Sequence, residues 1–318
     1  LQNKTKILKN VNWQLLFKVL KWSVPGLLLL IVYNRFYKHE HLSVEAIVVA
    51  VRSLPIKVLS FLSLMTLLNW IIEAKKWQLA IQSTQNLSFL KALKAVLAGL
   101  SVSQLLPYRT GEFLGRLAYI QHPLKAQAAL VSAMVSWTQL ACTLLFGTVS
   151  FLFLRPVPIP YVLLWSILAI LLVFVLGLKY ASNIRSLLDW PIMKAFKEAY
   201  QALSKPVLMK VFALSVLRYM TFVIPYAILV QWFGVGHYHS ILWAIIGVST
   251  VYLIQTLGPS FILTDIAIRV SVPALVFSGG MVANQSLDFL PGIIIYLFNV
   301  VLPMFIGAMV LLTLKLKA

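Results

Sequence analysis

The sequence predicts an all-α polytopic membrane protein, with about six transmembrane helices and two re-entrant helical hairpins arranged as an inverted repeat. Three observations carry that reading. Of 318 residues, 61% are apolar and 11% charged, where soluble domains run at about 45–50% and about 25%. The apolar residues come in long unbroken runs, not in the alternation of a transmembrane barrel. The charge is lopsided, with 27 Lys and Arg against 8 Asp and Glu and a formal net charge of +19. The basic residues gather in short stretches between the apolar runs, where cytoplasmic loops carry them. Mean hydropathy is +0.91. Together these exclude an ordinary soluble domain, a disordered chain and a disulfide scaffold. No nucleic acid is expected as partner; an anionic leaflet is. Cys142 is the single cysteine, so neither an intrachain disulfide nor a cysteine-based metal site is expected.

A bilayer core of about 30 Å takes about 20 apolar residues in a helix. Runs at 17–33, 56–72, 128–154, 161–178, 211–233 and 291–314 meet that need or nearly so. The chain begins at Leu1, and no signal peptide is expected, because no cleavage site follows the first apolar run. Two further apolar regions are broken in the middle. One runs from Ala95 to Leu106, breaks at Pro107-Tyr108-Arg109-Thr110-Gly111 and resumes over 113–120. The other runs over 243–257, breaks at Gly258-Pro259-Ser260 and resumes over 261–277. Broken helices are tolerated at membrane depth only when buried or lining a cavity, so both are read as re-entrant hairpins.

Orientation follows from the basic residues. The N-terminal stretch, the stretch 73–94 (Lys75, Lys76, Lys91, Lys94), the stretch 179–210 and the C-terminus with Lys315 and Lys317 are placed in the cytoplasm. This holds only if each broken region returns to the side it entered, the first hairpin from the cytoplasm and the second from outside. Within 181–206, Ile192, Met193, Phe196, Tyr200 and Leu203 share one helical face, which predicts an interfacial amphipathic helix. A plain linker between two halves fits the same pattern.

Shifted by 153 residues, the chain partly matches itself: Lys57-Val58 falls on Lys210-Val211, Glu112 on Asp265 and Arg116 on Arg269. Each half reads span, broken hairpin, span. The expected organisation is an N-terminal segment with the first span (1–55), repeat A (56–154), a connecting span with the amphipathic helix (155–210) and repeat B (211–318). Inverted repeats are the plan of many secondary transporters.

Intramembrane charges are rare and costly, so each points to function. Arg109, Glu112 and Arg116 lie in the first hairpin, Asp265 and Arg269 in the second, and Arg218 in the span 211–233. Both acids stand four residues before an Arg, on one helix face. A self-contained salt bridge that stabilises each hairpin is the competing reading, and Arg218 could snorkel to the interface. The six side chains nonetheless sum to a net +2, which favours an anion, and Arg suits phosphate by its planar fork. Thr110-Gly111 and Ser260 read as N-caps of the return helices, whose dipole ends add to the same preference. No cofactor and no metal site is expected; His237-x-His239 lacks further ligands, and no nucleophile–base pair or Walker loop is present. Trp70, Trp77, Trp137, Trp165 and Trp190 read as interface anchors or packing.

The segment Leu106-Pro107-Tyr108-Arg109-Thr110-Gly111-Glu112-Phe113-Leu114-Gly115-Arg116 resembles the signature of the lysylphosphatidylglycerol synthase transmembrane family, also called the flippase-like domain. The stretch from Leu68 to Trp77 is similar to the family's preceding span, and Arg218 to a later basic residue. The resemblance implies a lipid translocase of the bacterial cytoplasmic membrane with both termini inside. Taken with the charges singled out above, the expected site binds an anionic, phosphate-containing lipid headgroup, aminoacylated or polyprenyl-linked forms included, at Arg109, Glu112, Arg116, Arg218, Asp265 and Arg269. No soluble synthase domain is expected, and so no lysyltransferase activity. Two other classes stay open: a membrane anchor or partner subunit of a separate lipid or glycan synthase, and a membrane-embedded lipid-modifying enzyme.

Overall fold

The computed structural model describes residues 44–103, 111–154, 203–235, 240–257 and 290–313, together with the pairs 268–269, 272–273 and 276–277. The predicted spans 17–33 and 161–178, most of the predicted amphipathic helix, and the breaks Pro107, Thr110, Gly258, Pro259 and Ser260 lie outside these residues. The described residues are helical throughout, joined by turns. In chain order they are α1 (Val44–Ser53), α2 (Ile56–Ile81), α3 (Phe89–Ser103), α4 (Gly111–Leu117), α5 (Lys125–Leu154), α6 (Lys205–Trp232), α7 (Ile241–Leu257), α8 (Leu290–Tyr296) and α9 (Leu302–Leu312). A π-helical turn, Leu297–Val301, joins α8 to α9.

Among the described residues, four stretches are long and apolar enough to cross a membrane: α2, α5, α6 and the continuous run Leu290–Leu312. Their boundaries have local causes. Pro55 lacks an N–H and separates α1 from α2. Pro206 sits in the first turn of α6, where its missing donor costs nothing. Gly234 takes φ 63° and ends α6, with the Phe233 and Gly234 N–H groups bonded back to Leu229 and Gln231. Pro303 stands at the start of α9. It cannot donate to the carbonyl four residues back, at Asn299, and the π turn accommodates that gap.

The second half of α2 departs from the expected loop. The apolar run stops at Ile72, and the sequence reading placed 73–94 in the cytoplasm. The helix instead continues to Ile81, with Glu73, Lys76 and Trp77 fully buried. Helix α2 is amphipathic in reverse. Leu64, Leu67 and Ile71 face outward, 45–51% exposed, while Thr66, Asn69, Glu73 and Lys76 face inward. An apolar outside around a polar inside has lipid as its natural solvent.

Helices α3 and α4 form an antiparallel hairpin. Gly111 abuts the Val102 carbonyl, and Gly115 abuts Ala98 and Gly99. A Cβ on Gly99 would lie 2.7 Å from the Glu112 carbonyl oxygen, so small residues let the two backbones approach. The chain also returns to its starting point. The Gln121 N–H donates to Gln85 Oε1 at 3.0 Å, and Gln78 Nε2 donates to the Leu87 carbonyl at 2.9 Å.

Packing between the two halves follows an exchange. Helix α2 lies on α6, α5 on α7, and α9 on α3, while α3 also touches α2 and α7 touches α6. The long span α5 therefore covers α7, and the last described helix, α9, covers α3. The contacts match in kind. Gly147 of α5 sits on Ser249 and Leu253, and Gly307 of α9 sits on Leu97 and Ser101. In both cases one glycine meets two residues a helical turn apart, and a Cβ on Gly147 would lie 2.7 Å from Leu253 Cβ. One apolar core gathers on α2, α3 and α5 around Trp77, Val96 and Val131. A second gathers on α6, α7 and α8 around Val223, Val248 and Ile294.

Candidate functional site

The inward stripe of α2 has the spacing 66, 69, 73, 76, which keeps four polar side chains on one helix face. Each reaches a different element. Thr66 Oγ1 donates to Asn299 Oδ1 in the π turn at 3.4 Å. Asn69 Oδ1 accepts from Arg218 Nε of α6 at 2.9 Å. Lys76 Nζ donates to Gln139 Oε1 of α5 at 3.3 Å. Glu73 stands at the centre and takes three cations. Its Oε1 pairs with Arg116 Nη2 of α4 at 2.7 Å. Its Oε2 pairs with Lys76 Nζ at 2.7 Å and with Arg218 Nη1 at 2.9 Å. Arg116 also pairs with Glu112, one turn earlier on α4.

Aromatic rings flank the cluster. The Arg116 guanidinium lies 5.8 Å from the Trp77 ring centroid, and that of Arg218 lies 5.3 Å from the Phe222 ring. Both distances suit cation–π attraction. Trp77 is held by its Nε1, which donates to Ser132 Oγ at 2.9 Å. Trp77 is thus a support beneath Arg116 and not an interface anchor.

Among the described residues, the five ionised groups of the cluster leave one positive in excess. Glu73 and Glu112 oppose Lys76, Arg116 and Arg218. Arg116 is the least satisfied of them. It is wholly buried, yet one terminal nitrogen serves both carboxylates. Its Nε and Nη1 have no hydrogen-bond partner among the described residues. A buried, unpaired donor is costly, and on a guanidinium more so. The two open nitrogens lie on different edges of the planar guanidinium, and each is a charged donor from which an oxyanion can accept.

Of the six charges singled out from the sequence, Glu112, Arg116 and Arg218 meet in this cluster. Arg109 and Asp265 lie outside the described residues. Arg269 stands elsewhere, with its guanidinium 4.7 Å from the Tyr296 ring centroid. Gly111 is used for close contact with α3, and α4 is only seven residues long. The sequence reading missed Glu73, Lys76, Asn69 and Gln139. Hydropathy ended the span at Ile72, and Lys76 was counted with the loop charges. The signal available was the 3-4-3 polar spacing within an otherwise apolar stretch.

Long apolar helices, outward-facing apolar stripes and a buried ionised centre define a multi-pass helical membrane protein. The chain belongs to the lysylphosphatidylglycerol synthase transmembrane region family, whose model matches residues 15–284. The match bears out the resemblance drawn from the segment 106–116. The family is a membrane domain linked to lipid synthase and flippase-type function. No curated protein and no solved structure matches the chain.

Proposed function

We propose that the protein is a lipid translocase, which binds the phosphate of an anionic lipid headgroup at the Glu73–Arg116–Arg218 cluster and passes the lipid between leaflets. One observation carries the reading: Arg116 is fully buried with two guanidinium N–H groups unpartnered among the described residues. A phosphodiester brings one negative charge. It would offset the excess positive charge of the described cluster and accept from an open donor of Arg116.

The architecture supports the same reading. The Gln121–Gln85 contact favours a first hairpin that is re-entrant, with entry and exit on one membrane face. The exchanged packing of α5 on α7 and α9 on α3 favours an inverted repeat. Glu73 then joins the first span of one half to the hairpin of that half and to the first span of the other. A group that holds both halves is well placed to sense a ligand and let them move. The family membership favours a bacterial cytoplasmic membrane, and the basic termini favour a cytoplasmic location for both ends.

The test is transport in proteoliposomes. Arg116→Lys keeps the charge and loses the fork. It is expected to fold and to flip fluorescent phosphatidylglycerol at least about tenfold more slowly, as befits a lost charge-assisted hydrogen bond. Wild-type flipping by a folded Arg116→Lys protein would remove the headgroup site. A folded wild-type protein that never moves lipid would favour the partner-subunit reading.

A further inference from the structure

The second half contains its own set of buried donors. Tyr226 on α6 is 2% exposed, and its hydroxyl and that of Tyr252 on α7 are buried with no hydrogen-bond partner among the described residues. The two rings meet edge to face, with centroids 5.8 Å apart. Gly292 of α8 lies beneath them: a Cβ there would stand 2.8 Å from the Tyr226 hydroxyl and 3.3 Å from the Arg269 carbonyl oxygen. Tyr296, one turn on from Gly292, carries the Arg269 guanidinium over its ring at 4.7 Å.

The 153-residue register explains why these groups meet. It carries Arg116 onto Arg269 and Glu73 onto Tyr226. In the first half these two positions meet as an ion pair, and in the second both lie against Gly292. The first-span position is a carboxylate, Glu73, in the first half; in the second half it is a phenol, Tyr226, whose hydroxyl is a buried donor. Arg218, Phe222 and Tyr226 share one face of α6 at four-residue intervals, so Tyr226 lies about 12 Å along the axis from Arg218. Phe222 joins the two centres: it receives Arg218 at 5.3 Å and meets Tyr252 edge-on at 6.4 Å.

We propose that Tyr226, Tyr252 and Arg269 form a second oxyanion-binding site, a station for a phosphate monoanion two helical turns along α6 from the Glu73–Arg116–Arg218 cluster. The role as a station rests on the translocase reading; the donor set does not. The ligand chemistry is a tetrahedral oxyanion that accepts from two phenols beside a guanidinium. A lipid phosphodiester and free phosphate both supply it.

The experiment counts bound ligand and measures stability in the same purified, detergent-solubilised protein. Tyr226→Phe/Tyr252→Phe removes two hydroxyl groups and keeps both rings. In native mass spectrometry with dihexanoyl-phosphatidylglycerol, the wild type is expected to take two equivalents. The double Phe variant is expected to bind the second about tenfold more weakly. Its melting temperature without lipid should equal or exceed that of the wild type, because unpaired hydroxyl groups are lost, while the lipid-induced rise in melting temperature shrinks. Arg116→Lys should keep the second equivalent. A parallel titration with inorganic phosphate identifies the source: a Tyr-dependent rise assigns the site to any phosphate, and a rise with lipid alone assigns it to a headgroup. Unchanged lipid stoichiometry and affinity in the double variant overturns the proposal. So does a fall in lipid-free stability that Tyr252→Phe alone reproduces, since the hydroxyl groups would then be structural. If Arg116→Lys flips lipid normally while the Phe variant loses its second equivalent, the translocase site fails and the second site stands.

Discussion

Replacing Glu73 by Gln removes one negative charge from among three cations and leaves its shape almost unchanged. The consequences differ for each partner. Arg116 retains Glu112. Lys76 retains the amide of Gln139, and Arg218 retains that of Asn69 and the face of the Phe222 ring. The cluster then rises from one excess positive charge to two inside an apolar bundle. Breaking a buried ion pair from one side costs about 3–5 kcal/mol, and Glu73→Gln belongs at the upper end because two cations lose their carboxylate. Glu112→Gln should cost only about 1–2 kcal/mol, since Arg116 keeps Glu73 and the Glu112 side chain is 13% exposed. Adding Lys76→Met to Glu73→Gln restores the charge balance, so the pair should be less destabilised than the sum of the singles by about 1–3 kcal/mol. The assay is reversible unfolding in mixed micelles titrated with a denaturing detergent, followed by tryptophan fluorescence. Additive single and double mutants, or a larger loss for Glu112→Gln than for Glu73→Gln, would refute the central role of Glu73.

The remaining predictions concern packing and topology. Gly307→Val and Gly147→Val should each destabilise by about 1–3 kcal/mol or more, because each places new carbons against backbone that cannot retreat; unaffected unfolding curves would mean that the helix contacts are looser than described. With Cys142→Ser, cysteines at Gln85 and Gln121 should be joined efficiently by a short bis-maleimide, since the two positions share a hydrogen bond; absence of cross-linking in membranes would sink the hairpin. Asn69→Leu should cost about 1–3 kcal/mol by stranding the Arg218 Nε–H, and a Asn69→Asp protein that is more stable than Asn69→Leu in the same unfolding assay would confirm the acceptor role.

Much of the helical layout is legible in the sequence because hydropathy and helix breakers report it directly. The expected spans 128–154, 211–233 and 291–314 correspond to Lys125–Leu154, Lys205–Trp232 and Leu290–Leu312. The broken region at 95–120 corresponds to α3 and α4. The heart of the site is less legible, for a physical reason. Hydropathy averages over all sides of a helix, and α2 is polar on one side only. Glu73, Lys75 and Lys76 lower the average enough to end the run, although Lys75 alone of the three faces outward. The Glu112–Arg116 pair is visible because it lies within one helix turn. The Glu73–Arg116 and Glu73–Arg218 pairs join residues 43 and 145 positions apart, and no local pattern encodes such distances. Tyr226 and Tyr252 are hidden for another reason: a phenol in an apolar run reads as packing until its hydroxyl is found without a partner.

The packing of α9 on α3 bears on how the protein is made. Leu97 and the Gly307 that covers it are 210 residues apart in the chain. At ribosomal rates of about 5–20 residues per second, about 10–40 s pass between synthesis of the two. Through that interval α3 stands in the nascent protein without its cover, its Leu97 and Ser101 exposed to whatever surrounds them. The insertion machinery, or a chaperone in the membrane, is the natural occupant of that face. Arrest of translation before Leu302 should therefore trap the first hairpin in contact with such a factor, detectable by a photo-cross-linker at Leu97, and completion of α9 should release it.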